Sequence, residues 1–304
     1  MMRALAIATF AAALGACDKP HDTAAAAIAA APAANANAAP ATVLRRPLFW
    51  AAEKDGATLY FLGTMHLGID AAAQLPPIVW AKLDAAPAFA MEANLDDPRL
   101  AELMAPTGRS LRQALGDDYW TKLEDALGPG VASAVEHLPP MVAANTLSSR
   151  GLPHTPAMDR VLAARASGEH KPVVYLEPAT RQLQLVARWL DDKALKMTLD
   201  ELPDSDRRAR LALAAYVAGD EQAIVALNDG EKDVALRHGY TAAELDQEMT
   251  ELLYDRNESW LPALDRMRAA GGGFVAVGAL HLVGHGSVLE RLAHQGYRVT
   301  RIAP

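Results

Sequence analysis

The sequence contains a single cysteine, Cys17, among 304 residues. One thiol cannot form a disulfide within the chain, so the hydrophobic core must supply the stability. Basic side chains are also scarce, since 29 Lys and Arg stand against 37 Asp and Glu, and they form no cluster along the chain. A net charge of -8 without a basic patch gives no general attraction to phosphate backbones. We therefore expect no nucleic-acid partner.

Two common catalytic motifs are absent as well. The sequence lacks His-Glu-x-x-His, the helical signature of ordinary zinc proteases, and it lacks Gly-x-Ser-x-Gly, the nucleophile elbow of many serine hydrolases. An ordinary zincin is therefore excluded, and serine chemistry is disfavoured.

Two short apolar segments, residues 59–66 and 274–281, end in the same Gly-x-x-His pattern. Four consecutive aromatic or aliphatic residues are typical of a buried strand, and the glycine after them allows a tight turn before the imidazole. A third match ends at His154, but it lies in a proline-containing segment without a preceding strand and is interpreted as a surface turn. The sequence therefore predicts that His66 and His281 meet in one site.

The first residues predict export. Residues 1–16 combine a charged start with a short apolar core, which is typical of a secretory signal and not of a membrane span. They end in Leu-Gly-Ala before Cys17, a pattern that resembles the lipobox of bacterial lipoproteins, in which the cysteine is lipidated. We predict a lipoprotein signal peptide at 1–16 and a membrane-anchored protein facing the periplasm or the cell exterior. Ordinary secretory cleavage near Ala16 is the alternative.

Residues 17–47 are dominated by alanine and contain four prolines with hardly a bulky side chain. Such a segment cannot bury enough apolar surface to offset the entropy of ordering it. The sequence therefore predicts a disordered tether at 17–47 and a folded catalytic domain at 48–304.

Strand-like and helix-like segments alternate beyond the tether. Strand patterns occur at residues 58–62, 88–91, 172–176, 274–277 and 297–302. Strands separated by helices predict an α/β fold with a mainly parallel central sheet and flanking helices. The region 204–270 has no strand pattern and is predicted to form a helical insertion or cap.

Potential ligands follow four of the predicted strands, and in open α/β sheets a ligand binds beyond the carboxyl ends of the strands. These residues are His66, Glu92, Glu177 and His281. Two neutral imidazoles and a carboxylate are a familiar ligand set for a catalytic divalent cation, and a second carboxylate can act as general base. We predict a metal site at His66, His281 and Glu92, with Glu92 and Glu177 competing for the roles of ligand and base.

Arg256 and Asn257 lie together in a segment with helical spacing. A surface ion pair is one interpretation of this arginine. Its functional interpretation is a cation that neutralises a substrate carboxylate or a developing oxyanion, with the asparagine as a further donor.

Taken together, these motifs resemble the TraB/PrgY/GumN family, which is related to the Tiki proteases and more distantly to the erythromycin esterases and the ChaN-like proteins. The resemblance covers most of residues 58–302. Its marks are residues 61–66, Glu92, Met158 and Asp159, Leu176 and Glu177 with Gln182 and Leu183, Arg256 and Asn257, and residues 277–284. It implies a Tiki-like α/β core in which His66, His281 and Glu92 form the active site.

The resemblance also implies an activity. Tiki members are metal-dependent proteases that use manganese or cobalt, so a hydrolase acting on a peptide or protein substrate with bound manganese, cobalt or zinc is expected. Erythromycin esterases hydrolyse an ester with a related His/Glu set, which makes a metal-free hydrolase one alternative. Some family members inhibit a peptide signal, which makes a non-catalytic peptide-binding or regulatory module another.

Overall fold

The computed structural model describes residues 42–303. The predicted signal peptide, Cys17 and most of the predicted tether lie outside the described residues. The end of that tether is packed, because Leu44 is buried and its backbone N–H donates to the carbonyl oxygen of Gln74 at 2.8 Å. The packed part of the chain thus begins before residue 48, where the sequence predicts the folded domain to start. Across residues 42–303, no helix has both the length and the apolar character needed to cross a bilayer.

Six strands form one sheet with the order β4-β3-β5-β2-β1-β6. Their bounds are β1 Phe49–Lys54, β2 Ala57–Thr64, β3 Phe89–Met91, β4 Val173–Tyr175, β5 Gly272–Gly278 and β6 Arg298–Arg301. The four strands from β4 to β2 pair in parallel, whereas β1 is antiparallel to both β2 and β6. The predicted α/β fold with a mainly parallel central sheet is confirmed.

Strand β1 has no counterpart in the sequence prediction. It is joined to β2 by Asp55 and Gly56, whose φ angles of 51° and 80° are those of a tight two-residue hairpin turn. The dipeptide Asp-Gly is typical of such a turn. The two alanines and two charged residues of β1, however, give no clear strand pattern in the sequence. Pairing with β2 and β6 makes this segment a strand.

Strand β5 lies at the centre of the core, and all seven of its residues are buried. The ring of Phe274 lies 6.3 Å from that of Phe89 on β3 and 5.7 Å from that of Phe49 on β1. At its start, Gly272 has φ 102°, and a Cβ there would lie 2.2 Å from the carbonyl oxygen of Thr58. Glycine therefore lets β5 approach β2 closely from its first residue.

Fifteen α-helices occur within residues 42–303. They are α1 Ala71–Gln74, α2 Pro77–Ala85, α3 Arg99–Leu103, α4 Leu111–Leu115, α5 Asp117–Leu127, α6 Pro129–Val135, α7 Pro140–Ser149, α8 Met158–Gly168, α9 Ala179–Trp189, α10 Asp192–Asp200, α11 Leu202–Ala218, α12 Glu221–Arg237, α13 Ala242–Met249, α14 Asp255–Ala269 and α15 Val288–His294. A π-helical turn, Thr250–Tyr254, joins α13 to α14, and a 3₁₀ turn, Ala279–His281, follows β5.

The described chain forms two compact units. A helical unit comprises residues 95–154 and 179–210, and its buried side chains include Trp120 and Leu195. A sheet unit comprises the remaining described residues and holds all six strands. The predicted helical region 204–270 is helical, as expected. Most of it belongs to the sheet unit, and its last helix, α14, carries Arg256 and Asn257.

Candidate active site

The six predicted site residues that lie within the described chain are all buried, with at most 6% of their surface exposed. They are His66, Glu92, Glu177, Arg256, Asn257 and His281. All six belong to the sheet unit. Burial of this many polar and charged groups is costly unless they bind one another, so their mutual contacts define the site.

The parallel strands explain why distant residues meet. His66 follows β2, Glu92 follows β3 directly, Glu177 lies two residues after β4, and His281 ends the turn after β5. Parallel strands end at the same edge of a sheet, so the side chains that follow them converge. The backbone continues the pairing past the strands, since the N–H of Glu177 donates to the carbonyl oxygen of Glu92 at 2.9 Å.

Arg256 joins the two glutamates. Its Nε donates to Oε1 of Glu177 at 2.7 Å, and its Nη2 donates to Oε2 of Glu92 at 2.6 Å. The third nitrogen, Nη1, donates to the carbonyl oxygen of Leu252 at 3.0 Å and lies 3.1 Å from Nε2 of His281. Every nitrogen of the guanidinium therefore binds a group of this chain, whereas the sequence suggested that Arg256 binds a substrate or an oxyanion.

These contacts keep Glu92 and Arg256 ionised. Burial alone would raise the pKa of Glu92, but the charge of Arg256, with smaller contributions from nearby groups, lowers that pKa to about 2. Burial likewise opposes the charge on Arg256, yet the two carboxylates outweigh it and raise the pKa of the guanidinium. The site thus contains a buried arginine held between two glutamates.

The π-helical turn before α14 assists Arg256. In this turn the N–H of Asp255 donates to the carbonyl oxygen of Thr250, five residues back, and Nη1 of Arg256 binds the carbonyl oxygen of Leu252. A π-helical turn shifts the residues that follow it around the helix axis, and such turns occur often at functional sites. Arg256 and its neighbour Asn257 both reach the site from this position.

His281 is a neutral imidazole with its proton on Nδ1. Asn257 donates through Nδ2 to the carbonyl oxygen of Gly286 at 2.9 Å, which leaves its Oδ1 to accept from Nδ1 of His281 at 2.6 Å. Burial lowers the pKa of His281 to about 3, and the charge of Arg256 acts in the same direction. Nε2 therefore has a lone pair that faces Arg256. The indole of Trp260 packs against the imidazole, with ring centroids 4.5 Å apart.

His66 has a different partner, Asp159, at the start of α8. Nδ1 of His66 lies 2.5 Å from Oδ2 of Asp159, whose Oδ1 accepts a hydrogen bond from the hydroxyl of Thr64 at 3.0 Å. Burial lowers the pKa of His66, but the charge of Asp159 and its hydrogen bond outweigh burial, and the net pKa is raised. His66 is therefore the site histidine that readily takes a proton.

Sequence reasoning did not assign Asp159 or Tyr216 to the site. Asp159 was noticed only as one mark of the family resemblance, and Tyr216 on α11 carries no local signal. The buried hydroxyl of Tyr216 donates to the carbonyl oxygen of Gly63 at 2.7 Å, in the strand that leads to His66. Burial raises the pKa of Tyr216, so the hydroxyl stays protonated and keeps donating.

Two of the predicted metal ligands, Glu92 and His281, face groups of this chain with the atoms that would hold a cation. Arg256 donates to Oε2 of Glu92 and faces Nε2 of His281, while the N–H of Gly278 donates to Oε1 of Glu92 at 2.7 Å. These are the atoms that would bind a cation, so His66, His281 and Glu92 do not fit a divalent ion in this arrangement. Among residues 42–303, no group of three or more His, Cys, Asp and Glu has a metal-binding geometry. The metal ion stays a prediction from the sequence.

Comparisons with known proteins agree with the sequence motifs. The family model of the TraB/PrgY/gumN family matches residues 48–301. The uncharacterized protein YbaP of Escherichia coli (strain K12) is 26% identical over 245 residues, which cover 77% of this chain and 87% of YbaP, and YbaP of Shigella flexneri gives the same values. No solved structure matches the chain significantly.

Proposed function

This chain belongs to the TraB/PrgY/gumN family, and on that premise we propose that it is a hydrolase that cleaves acyl bonds, peptide bonds first among them, with His66 as its general base. One observation carries this proposal: His66 is buried and bound through Nδ1 to the carboxylate of Asp159 at 2.5 Å. A carboxylate in that position orients the imidazole, fixes the proton on Nδ1 and stabilises the imidazolium that forms when Nε2 takes a proton.

The reaction needs no covalent intermediate on the protein. Nε2 of His66 takes a proton from water, the water oxygen bonds to the acyl carbon, and the carbonyl π electrons move to the carbonyl oxygen. When the tetrahedral species collapses, the bond to the leaving amine breaks and the imidazolium returns its proton to the leaving nitrogen. An ester follows the same course with an alcohol as the leaving group.

The charged groups around His66 tune this base. The carboxylates of Asp159 and Glu92 raise the pKa of His66, whereas burial and the charge of Arg256 lower it. Arg256 holds Glu92 by donating to its Oε2 at 2.6 Å, and Glu177 holds Arg256 by accepting from its Nε at 2.7 Å. In this proposal Glu92, Glu177 and Arg256 position the site, and His66 transfers the proton.

A metal-dependent form of the same hydrolase is the second candidate. Both histidines bind an orienting partner through Nδ1, Asp159 for His66 and Asn257 for His281, as metal-binding histidines commonly do. This alternative requires Arg256 to leave Nε2 of His281, from which its Nη1 lies 3.1 Å.

We also propose the cellular context that the N-terminal sequence predicts. The protein would be exported, lipidated at Cys17 and held at a membrane facing the periplasm or cell exterior, with a peptide or protein as substrate. Mass spectrometry of membrane-extracted protein tests the anchor, because the acyl chains on Cys17 add mass that a Cys17→Ser variant lacks.

Turnover tests the hydrolase. Full-length protein in detergent is assayed on fluorogenic peptide libraries and on p-nitrophenyl esters, with and without EDTA. We expect EDTA-insensitive turnover that His66→Gln abolishes and His154→Gln leaves unchanged, because His154 has the same Gly-x-x-His spacing but is exposed. Turnover that EDTA removes and Mn²⁺ restores would favour the metal-dependent candidate. No turnover on either class would overturn the proposal in favour of a peptide-binding module.

A further inference from the structure

His281 is a buried histidine to which the proposed hydrolysis gives no task. Its imidazole lies in a row of hydrogen bonds that begins at Arg256 and ends at the backbone of Gly286. A guanidinium has only N–H groups and can only donate, whereas a carbonyl oxygen can only accept. The two ends of the row therefore fix the direction of every hydrogen bond between them.

The hydrogen bonds all run from Arg256 toward Gly286. Nη1 of Arg256 donates to Nε2 of His281 at 3.1 Å, so the imidazole carries its proton on Nδ1. That nitrogen donates to Oδ1 of Asn257 at 2.6 Å, and Nδ2 of Asn257 donates to the carbonyl oxygen of Gly286 at 2.9 Å. A proton on Nε2 would instead face the N–H of Arg256, and Oε1 of Glu92 lies 3.8 Å away, too far to accept it.

The end of the row at Gly286 is itself held in place. The N–H of Gly286 donates to Oε2 of Glu290 at 2.5 Å, and its carbonyl oxygen also accepts from Nε of Arg291 at 3.2 Å. The residue has φ 71°, and a Cβ there would lie 2.6 Å from the ring of Tyr254. The carbonyl oxygen that orients Asn257 is therefore fixed by its own loop.

Trp260 holds the face of the imidazole while Asn257 holds its edge. The fully buried indole lies 4.5 Å from the ring of His281, and its centroid is 5.2 Å from Cζ of Arg256. Asn257 and Trp260 are three residues apart on α14, so they lie on the same side of that helix. The helix that carries Arg256 thus also sets the position and the plane of the His281 ring.

His281 binds the side of the guanidinium that faces away from the carboxylates. Nη2 of Arg256 lies 2.6 Å from an oxygen of Glu92 and 2.6 Å from one of Glu177, whereas Nη1 binds His281 and the carbonyl oxygen of Leu252. Leu252 lies in the turn that leads into α14. His281 is therefore the partner that joins Nη1 to the end of β5, as Glu92 and Glu177 join Nη2 to the ends of β3 and β4.

From this arrangement we infer that His281 is a positioning residue, whose Nε2 lone pair holds Arg256 in the orientation in which it binds Glu92. Without that acceptor a buried N–H of Arg256 would lose its partner, and the guanidinium would turn to find another. The inference deepens the proposed function and rests on it, because the orientation of Arg256 affects turnover only if this site is catalytic. The two histidines of the repeated motif then have different tasks, since His66 transfers the proton and His281 accepts a hydrogen bond.

The test compares two replacements of His281 in the full-length protein. Glutamine can place its amide oxygen near the position of Nε2 and accept from Arg256, whereas leucine has a similar size and no acceptor. We expect His281→Leu to lower turnover about 100-fold, the effect of a small misplacement in an active site, and His281→Gln to recover most of that loss, to within about 10-fold of the wild type. The same exchange at the other motif, His66→Gln, should abolish turnover because it removes the base.

Two outcomes of this comparison would overturn the inference. If His281→Gln is folded but as inactive as His66→Gln, the imidazole of His281 takes part in proton transfer or binds a ligand. If His281→Leu is as active as the wild type, the acceptor is not needed. Circular dichroism and the midpoint of thermal unfolding establish that the variants are folded.

NMR of the wild type gives a readout that requires neither turnover nor a folded variant. In protein labelled with ¹⁵N at histidine, a protonated ring nitrogen and an unprotonated one have different shifts, so the spectrum gives the tautomer. The resonances of His281 are assigned by their proximity to the indole protons of Trp260. We expect a proton on Nδ1 and none on Nε2 at neutral pH. A proton on Nε2 would overturn the inference, because that nitrogen could not accept from Arg256.

The two readouts keep this inference separate from the proposed function. If Nε2 of His281 is unprotonated but the wild type cleaves no peptide or ester, the hydrogen bond to Arg256 stands and the hydrolase proposal fails. If the wild type is active but His281→Gln recovers none of the turnover that His281→Leu loses, the hydrolase stands and the positioning role fails.

Discussion

Nδ1 of His281 lies 2.6 Å from Oδ1 of Asn257, and this hydrogen bond determines which nitrogen of the imidazole carries the proton. The amide nitrogen of Asn257 is bound to the carbonyl oxygen of Gly286, so the amide oxygen faces the histidine and accepts from it. His281 and His66 therefore differ although they share a sequence motif. His281 binds a neutral amide and stays uncharged, whereas His66 binds a carboxylate and takes a proton readily.

Replacing Asn257 with aspartate should make His281 resemble His66. A carboxylate beside Nδ1 stabilises the imidazolium, so the pKa of His281 should rise from its value of about 3. NMR titration of ¹³C-labelled histidine measures this pKa. An unchanged pKa in Asn257→Asp would show that the contact is not formed in solution.

Asp159→Asn should slow turnover by about 100- to 10,000-fold, because an amide cannot stabilise the imidazolium of His66. The base works only when His66 is unprotonated, so kcat/KM of the wild type should rise with pH. The midpoint of that rise should lie above 6.5, the usual pKa of a histidine, because Asp159 raises the pKa of His66. In the variant this midpoint should move to lower pH. Asp84→Asn is the matched control, since Asp84 binds Arg165 at an exposed position. A midpoint that does not move would contradict the role of Asp159.

Arg256→Met should lower the free energy of unfolding by about 3 to 5 kcal/mol, since it leaves Glu92 and Glu177 buried without their shared cation. Replacing both glutamates with glutamine in the same protein should restore part of the loss. Urea denaturation measures both effects. Arg298→Met provides the control, because 78% of its side chain is exposed and a change of at most about 0.5 kcal/mol is expected. Equal effects of the two arginine variants would disprove the buried ion cluster.

Tyr216→Phe should lower the free energy of unfolding by about 1 to 3 kcal/mol, because the carbonyl oxygen of Gly63 loses its buried donor. Urea denaturation of Tyr216→Phe gives the value. Tyr175→Phe, at an exposed position, should change stability little. An unchanged free energy of unfolding in Tyr216→Phe would indicate that the hydroxyl is not needed to hold the end of β2.

The two histidines should affect the pH dependence of stability in opposite directions. The pKa of His281 is lowered to about 3 in the folded protein, so its contribution is complete above the usual value of 6.5 and is lost as the pH falls toward 3. The pKa of His66 is raised, so its contribution is present below 6.5 and is lost as the pH rises through the folded value. Urea denaturation between pH 4 and 8 should therefore show a weaker rise at acidic pH in His281→Gln and a weaker decline at alkaline pH in His66→Gln. Identical pH profiles in both variants and the wild type would refute this assignment.

Much of the fold was accessible from local sequence. Strands β2 to β6 and the helices between them follow from apolar runs, prolines at helix starts and glycines at turns, and the mainly parallel sheet follows from their alternation. Strand β1 was missed because its sequence has no clear strand pattern. It is a strand because it pairs with β2 and β6, which the local sequence does not show. Leu44 was assigned to the tether for the same reason, since an isolated leucine in an alanine-rich segment does not show where it will pack.

By itself, the sequence determined the family, the α/β class and the residues that gather at the ends of the strands, because each depends on residue types and spacings along a short stretch of chain. Only the tertiary structure decided what each of those residues binds. His66 meets Asp159 across 93 residues and Arg256 meets Glu92 across 164, so neither pair leaves a local pattern. The charge states follow from those partners and from burial, which are properties of the folded chain and not of any segment. For that reason two histidines in the same motif have opposite pKa shifts.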